Sequence, residues 1–202
     1  MSVEFQKSET RENLMRAFAG ESQARNRYTF AAEEARRQKL PVLADLFTFT
    51  ANQEKEHAEI YYNHLQSLSG TTVHIDGGYP IDLYPNMTQI LRAAQHNEYE
   101  EHDSVYKTFG DKAMEEGFPS VASSFYGIAK IEKVHGDRFG NFATLMEENR
   151  LFSSEGQEVW MCLNCGHIHT GPTVPVSCPI CHKEQGYFIR LSYIPLSLNQ
   201  RQ

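Results

Sequence analysis

Residues 41–57 read PVLADLFTFTANQEKEH, and residues 119–135 read PSVASSFYGIAKIEKVH. At a shift of 78, seven of the 17 positions are identical: Pro41/Pro119, Ala44/Ala122, Phe47/Phe125, Ala51/Ala129, Glu54/Glu132, Lys55/Lys133 and His57/His135. Each copy opens on a proline, which suits the first turn of a helix because its missing N–H has no intrahelical partner to lose. Each then carries a stripe at helical spacing. In the second copy the stripe runs Val121, Phe125, Ile128, Glu132, His135, Phe139, Phe142, Met146; in the first it runs Leu43, Phe47, Thr50, Glu54, His57, Tyr61, His64, Leu68. A Glu and a His three residues apart therefore interrupt a core-facing stripe twice, at duplicated positions. Lys55 and Lys133 fall off the stripe.

Outward from these two segments, Thr10 to Asn149 is rich in helix formers, and its prolines mark breaks. Four helices are expected, over 10–38, 41–69, 87–116 and 119–148. Short connections make hairpins of the first and last pairs. The Gly- and Pro-rich segment 70–86 is long enough to cross over between them, as in ferritin-like four-helix bundles. On the first helix Glu21 lies in line with Leu14, Ala17, Ala24 and Tyr28. On the third, Glu98 and Glu101 lie in line with Leu91, Ala94 and Val105. Glu21 faces Glu98 at a shift of 77, so the bundle reads as two similar hairpins about a pseudo-twofold axis.

An unpaired carboxylate in a core is costly and tends to take a proton or leave. One Glu-x-x-His on a solvated face would mean little. Carboxylates at mid-height on four helices, two of them in Glu-x-x-His pairs, need a common cause, and two divalent cations supply it. Glu21, Glu54, Glu98, Glu101 and Glu132 carry five negative charges; two ferrous ions return four positive charges and two ferric ions six. One Glu from each of two helices plus Glu-x-x-His from each of the other two is the known pattern of di-iron and di-manganese carboxylate bundles, and mixed carboxylate and imidazole donors suit iron or manganese. His64 lacks a histidine counterpart in the repeat (Phe142 stands there) and reads as a satisfied or outer histidine. His96 and His102 read as surface residues.

From Glu158 the composition changes to short apolar runs among Gly, Pro and Cys. Residues 1–152 are read as the bundle, 153–157 as a linker and 158–202 as a second, small module. About 45 residues bury too little apolar surface to fold securely alone, so a metal is expected. Cys162-Leu-Asn-Cys165 and Cys178-Pro-Ile-Cys181 supply it as two knuckles converging on one tetrahedral site. A tetrahedral site of four sulfurs fits zinc and iron alike. An iron could relay single electrons to the bundle centre, whereas zinc could only stabilise the module. The C-P-x-C knuckle and the aromatic residues Trp160, Tyr187 and Phe188 resemble rubredoxin.

A net charge of −7 and a pI near 5.7 argue against nucleic acid or an anionic membrane as partner. No run approaches the roughly 18 apolar residues of a membrane span. The polar N-terminus lacks an export signal, so a cytoplasmic protein is expected, in which regular cysteines read as metal ligands rather than disulfides.

The run Ala17-Phe-Ala-Gly-Glu-Ser-Gln-Ala-Arg-Asn-Arg-Tyr28 resembles the first helix of rubrerythrins. Together with Gln53-Glu54-x-x-His57, Glu98-x-x-Glu101, Glu132-x-x-His135 and the cysteine module, the likeness spans nearly the whole chain. It implies a mainly α, ferritin-like bundle with a rubredoxin-like C-terminal module, holding two irons in the bundle and one iron on the four cysteines. It implies a peroxidase that reduces hydrogen peroxide to water in oxidative-stress defence, fed by an external reductase or small redox protein. Glu54 and Glu132 would bridge the irons, with Glu21, Glu98 and His135 terminal. His57 would bind one iron in the reduced state and Glu101 in the oxidised state. Tyr28 and Tyr106 would stand beside ligand carboxylates, and subunits would pair head to tail as a homodimer. The main rival is a ferroxidase or iron-handling protein on the same bundle. An oxygenase acting on an organic substrate and a zinc-held scaffold are further rivals.

Overall fold

Ser8 starts the first helix: its hydroxyl accepts a hydrogen bond from the Arg11 amide at 3.1 Å, satisfying one of the donors a helix start leaves free. The Glu116 carboxylate accepts from the amides of Glu9 and Thr10 at 3.0 and 2.8 Å, which ties the far end of the second hairpin to this terminus. In the computed structural model, which describes residues 3–194, the helices are α1 (Glu9–Arg37), α2 (Pro41–His64), α3 (Met87–Glu100), α4 (Tyr106–Glu116) and α5 (Pro119–Glu147). Pro41 and Pro119 occupy the first turns of α2 and α5. Gly117, with φ 90°, ends α4 in the left-handed conformation that glycine adopts without a steric cost.

Two helices differ from the sequence expectation. The second ends at His64 rather than at 69 and is followed by a 3-10 turn, Gln66–Leu68, the tighter winding that often follows the end of an α-helix. The third is not continuous over 87–116: a π-helical segment, Glu101–Val105, separates α3 from α4. The repeat explains it. Leu91, Ala94 and Glu98 match Leu14, Ala17 and Glu21 at a shift of 77, whereas Tyr106 and Ala113 match Tyr28 and Ala35 at a shift of 78. One extra residue lies between Glu98 and Tyr106, and a π turn absorbs such an insertion without breaking the helix.

Residues 70–86 contain no regular element and run along α1. Arg16 pairs with Asp76 at 2.7 Å, Gln23 donates to the Pro80 carbonyl at 2.9 Å, and Arg27 pairs with Asp82 at 2.9 Å. Asn97 of α3 also donates to Asp82 at 2.8 Å. The crossover is thus pinned across the seam between α1 and α3.

The bundle interior is two apolar clusters with a polar layer between them. One contains Tyr28, Leu43, Phe47, Leu91 and Phe139; the other contains Leu14, Tyr61, Tyr106, Phe125 and Ile128. Between them are buried Glu21, Glu54, His57, Glu98, Glu132 and His135.

The C-terminal module is a three-stranded antiparallel sheet in the order β2-β1-β3: β1 (Ser153–Cys162), β2 (Ile168–Thr173) and β3 (Phe188–Arg190). The segment expected as a linker, 153–157, lies inside β1, because the chain enters the sheet directly from the end of α5 with Ser153 opposite Thr173. Residues 195–202 of the expected module lie outside the described residues. Trp160, Cys162, Val174, Cys178 and Phe188 form its small core.

The module docks on the bundle at the turn between α1 and α2. A Cβ at Gly186 would stand 2.4 Å from the Lys39 carbonyl oxygen and 2.9 Å from Pro41 Cδ. Backbone cannot yield as a flexible side chain can, so Gly186→Ala should cost about 1–3 kcal/mol as overpacking does. A lower thermal midpoint is the expected result; an unchanged midpoint would show that this contact contributes nothing.

Candidate metal centres

Glu54 and His57 lie one turn apart on α2, and Glu132 and His135 one turn apart on α5, so the repeated heptad stripe aims all four into the polar layer. Glu21 of α1 and Glu98 of α3 complete it. The ligand atoms gather into two tetrads, Glu21–Glu54–His57–Glu132 and Glu54–Glu98–Glu132–His135, each with its four atoms within 4.8 Å of one another. Glu54 and Glu132 belong to both. Two four-donor sites sharing two carboxylates are what a pair of carboxylate-bridged cations requires.

The hydrogen bonding agrees. The oxygens Glu21 Oε2, Glu54 Oε1, Glu98 Oε2 and both of Glu132, together with His135 Nδ1, are buried without a hydrogen-bond partner among the described residues. Yet His135 Nδ1 lies 3.0 Å from Glu54 and 2.9 Å from Glu132, and His57 Nδ1 lies 2.9 Å from Glu132. The atoms converge on common points rather than on each other. Buried polar groups are rarely left this way, and a cation at each point satisfies them together.

Titration behaviour follows from the same crowding. Burial, with repulsion from Glu132, raises the pKa of Glu21 well above the usual carboxylate range; burial and Glu54 do the same to Glu98. Burial also acts to raise Glu54, but the His135 and His57 rings beside it override burial and hold Glu54 at about 2. Burial disfavours charge on His135, yet Glu132, Glu54 and Glu98 hold it up at about 12; His57 is likewise raised, chiefly by Glu132 against burial. Without cations, protons balance the carboxylates.

The shell outside the ligands is ordered. Tyr28 donates to Glu98 Oε1, and Tyr106 donates to Glu21 Oε1 at 2.6 Å. His135 Nε2 donates to Gln53 Oε1 at 3.1 Å, and Arg138 donates to the same oxygen at 3.2 Å. Gln53 thereby fixes the tautomer that leaves Nδ1 for the metal. A helical stripe could not reveal this contact, because it joins different helices 82 residues apart. Gln53→Leu should weaken metal binding about 10–100-fold, measurable by competition with a chelator. Unchanged affinity would show that packing alone orients His135.

Glu101 joins neither tetrad. It stands on the π segment and lines a cavity of about 240 Å³ between α1, α3 and the crossover, shared with Tyr79, Asn97 and Tyr106. Burial and Glu21 raise its pKa well above the usual range. Lys55 and Lys133 are exposed, and His64 is half-buried, 2.9 Å from the Ser124 hydroxyl. His96 is exposed. His102 is not a free surface residue: Nδ1 donates to the Ala129 carbonyl at 2.7 Å, because the π segment turns it toward α5.

The four cysteines gather at the edge of the small sheet, again within 4.8 Å of one another. Cys162 lies 3.7 Å from Cys181, and Cys165 lies 3.7 Å from Cys178. Each knuckle turns through a positive φ after its second cysteine, at Gly166 (77°) and His182 (59°). The Lys183 amide points at the Cys181 sulfur and lowers its pKa to about 6. The His167 amide lowers Cys165, but desolvation and the other three thiols override it and push Cys165 up to about 12. Four converging sulfurs with amides directed at them fit one tetrahedral metal. Cys162 and Cys178 are buried and Cys165 is exposed, so the centre has one open edge.

Comparison with known proteins gives a consistent result. A family model described as rubrerythrin matches residues 12–143, and one described as the rubrerythrin rubredoxin-like domain matches residues 160–189. The rubrerythrin of Clostridium perfringens is 41% identical over 182 residues, covering 90% of this chain and 93% of its own length. That of Nitratidesulfovibrio vulgaris is 36% identical over 181 residues, covering 90% and 93%. Among solved structures, fully reduced, all-ferrous nigerythrin aligns with a TM-score of 0.62 and 28% identity, covering 94% of this chain and 88% of that one. A bacterioferritin of Mycobacterium tuberculosis aligns with a TM-score of 0.63 at 18% identity over 74% of this chain and 91% of its own, a likeness of fold.

Proposed function

Because this chain belongs to the rubrerythrin family, we propose that it is a peroxidase reducing hydrogen peroxide to water, with electrons passed through the tetracysteine centre from an external reductase or small redox protein. The observation that carries this reading is the presence, in one chain, of a dinuclear carboxylate–histidine site and a separate four-cysteine site with an open edge. The first is built to hold two irons and the second to hold one, through which electrons can be resupplied singly. Bound ferrous ions would supply the two electrons that peroxide reduction consumes.

The chain's own residues divide the remaining work. Glu54 and Glu132 would hold both metals, and Glu21 and His57 would hold one and Glu98 and His135 the other. Tyr28 and Tyr106 hold the Glu98 and Glu21 carboxylates in place through their hydroxyls. Glu101 waits beside the 240 Å³ cavity, a space that suits a small oxidant. Four carboxylates would balance two ferrous ions and a fifth would answer the extra charge after oxidation; as the family resemblance implies, Glu101 would then take the place of His57. The Glu101 carboxyl, whose pKa burial and Glu21 raise well above the usual range, would give up a proton on turning in, which would couple oxidation to proton delivery.

No Gly-x-Gly-x-x-Gly follows a strand in this sequence, so a nicotinamide donor would act through a separate protein. The exposed Cys165 edge suits docking of that donor, or of a second subunit in a head-to-tail homodimer. No described helix is long and apolar enough to cross a membrane.

Anaerobic stopped-flow of the fully reduced protein against hydrogen peroxide, with dioxygen as comparison, tests the reading. Fast oxidation by peroxide and slow oxidation by dioxygen are expected; the reverse order overturns it. Iron content after aerobic loading separates the ferritin-like alternative: about three irons per chain for the enzyme, a mineral store of many more for the alternative.

A further inference from the structure

Each apolar cluster flanking the metal layer contains an aromatic triad; the two triads are related by the internal repeat and differ by one hydroxyl. On one side Tyr28, Phe47 and Phe139 pack together, with ring centroids 5.0, 5.1 and 5.8 Å apart. On the other side Tyr106, Phe125 and Tyr61 pack together, at 4.9, 5.4 and 6.0 Å. The shift of 78 carries Tyr28 to Tyr106, Phe47 to Phe125 and Tyr61 to Phe139. Phe139 shows that a bare phenyl ring serves the packing. The Tyr61 hydroxyl is additional, and it is buried with no hydrogen-bond partner among the described residues. Leaving a hydroxyl in that condition is costly, so it calls for an acceptor that arrives in another state of the site.

A second departure from the repeat lies at the same end. At the shift of 77 that holds before the π segment, Glu101 stands where the first half has Ala24. Glu101 lines the cavity beside Tyr106, whose hydroxyl is already committed to Glu21 and whose ring packs on Tyr61. Tyr61 stands one turn beyond His57 on α2, on the Glu21–His57 side of the polar layer. One half of the pseudo-symmetric site has thus gained a hydrogen-bond donor and a carboxylate, neither of which the other half possesses.

We infer that Tyr61 is a positioning residue whose hydroxyl donates to the Glu101 carboxylate when Glu101 turns from the cavity toward the Glu21–His57 half of the site. This rests on the reading that Glu101 joins the centre on oxidation. Tyr61 then favours the oxidised arrangement and leaves the reduced one untouched.

The test measures the midpoint potential of the dinuclear centre in the holoprotein for wild type, Tyr61→Phe, Glu101→Ala and the double variant. A hydrogen bond to a carboxylate should change the oxidised-to-reduced ratio about tenfold, so Tyr61→Phe should raise the potential by roughly 30 mV for a two-electron couple. In the Glu101→Ala background the same change should do nothing. Equal shifts in both backgrounds, or none with Glu101 present, overturn the proposal. A potential unmoved by Glu101→Ala alone overturns the underlying reading, and the proposal with it. A second measurement is thermal unfolding of the metal-free protein. Tyr61→Phe should leave its midpoint unchanged or higher, since the hydroxyl has no partner among the described residues; a lower midpoint would reveal an existing partner and overturn the proposal.

Discussion

Glu132→Ala is expected to remove both ions of the dinuclear centre and to leave the tetracysteine metal in place. Glu132 belongs to both tetrads, and neither of its oxygens has another hydrogen-bond partner among the described residues. Without it each site keeps three donor atoms, and both histidines lose a carboxylate 2.9 Å away. Loss of residues outside the ligand shell typically costs 10–100-fold in metal affinity, so loss of a shared ligand should exceed about 100-fold. Metal content should fall from about three to about one per chain, and peroxide turnover should fall with it. In the metal-free form too the variant should unfold at a lower temperature than wild type, because His57 and His135 each lose a carboxylate 2.9 Å away. The gain in midpoint that metal gives the wild type, by binding only the folded state, should disappear. A variant that still held two ions in the bundle would end the bridging assignment.

Cys162→Ser is expected to abolish steady-state turnover while a chemically reduced dinuclear centre still reacts once with peroxide. Cys162 is buried in the module's core and faces Cys181 at 3.7 Å, so replacing its thiolate removes a donor that no neighbour can supply. In small modules of this kind metal binding is folding energy, about 10–16 kcal/mol for structural zinc in zinc-finger peptides. The sheet around Trp160 should therefore loosen as well. Tryptophan fluorescence reads this directly, since Trp160 is the only tryptophan in the chain. Loss of turnover with single-turnover oxidation intact would isolate electron supply as the defect. Steady-state activity surviving without the tetracysteine metal would show that electrons reach the bundle by another route.

Much of the site is legible in the sequence because it is built on periodic elements. A heptad stripe that places Phe47 and Tyr61 in the core must place Glu54 and His57 there too, and the duplicated segment repeats the result for Glu132 and His135. The cysteine knuckles are equally local: four residues and a tight turn bring each pair of sulfurs together. Glu101 is different. Its spacing from Glu98 puts it on the expected stripe of a regular helix, but the π segment changes the helix phase between them, and Glu101 lies beside a cavity rather than in a tetrad. The one-residue change in repeat shift between Glu98 and Tyr106 carried that information, though its effect on direction depends on how the helix absorbs the insertion.

The sequence by itself determined the two helical hairpins, a set of seven bundle candidates that includes the six residues of the polar layer, and the tetracysteine site. Each follows from helical periodicity or from contacts within a few residues. Only the tertiary structure decided that Gln53 orients His135, that Glu101 stands aside from both tetrads, and that the buried Tyr61 hydroxyl has no partner among the described residues; it also supplied the geometry of the shared Glu54 and Glu132 and of the Tyr28 and Tyr106 contacts, which the family resemblance had only implied. Those facts depend on distances between helices far apart in the chain, which are fixed by how the side chains of all of them pack together. No spacing along one segment encodes them.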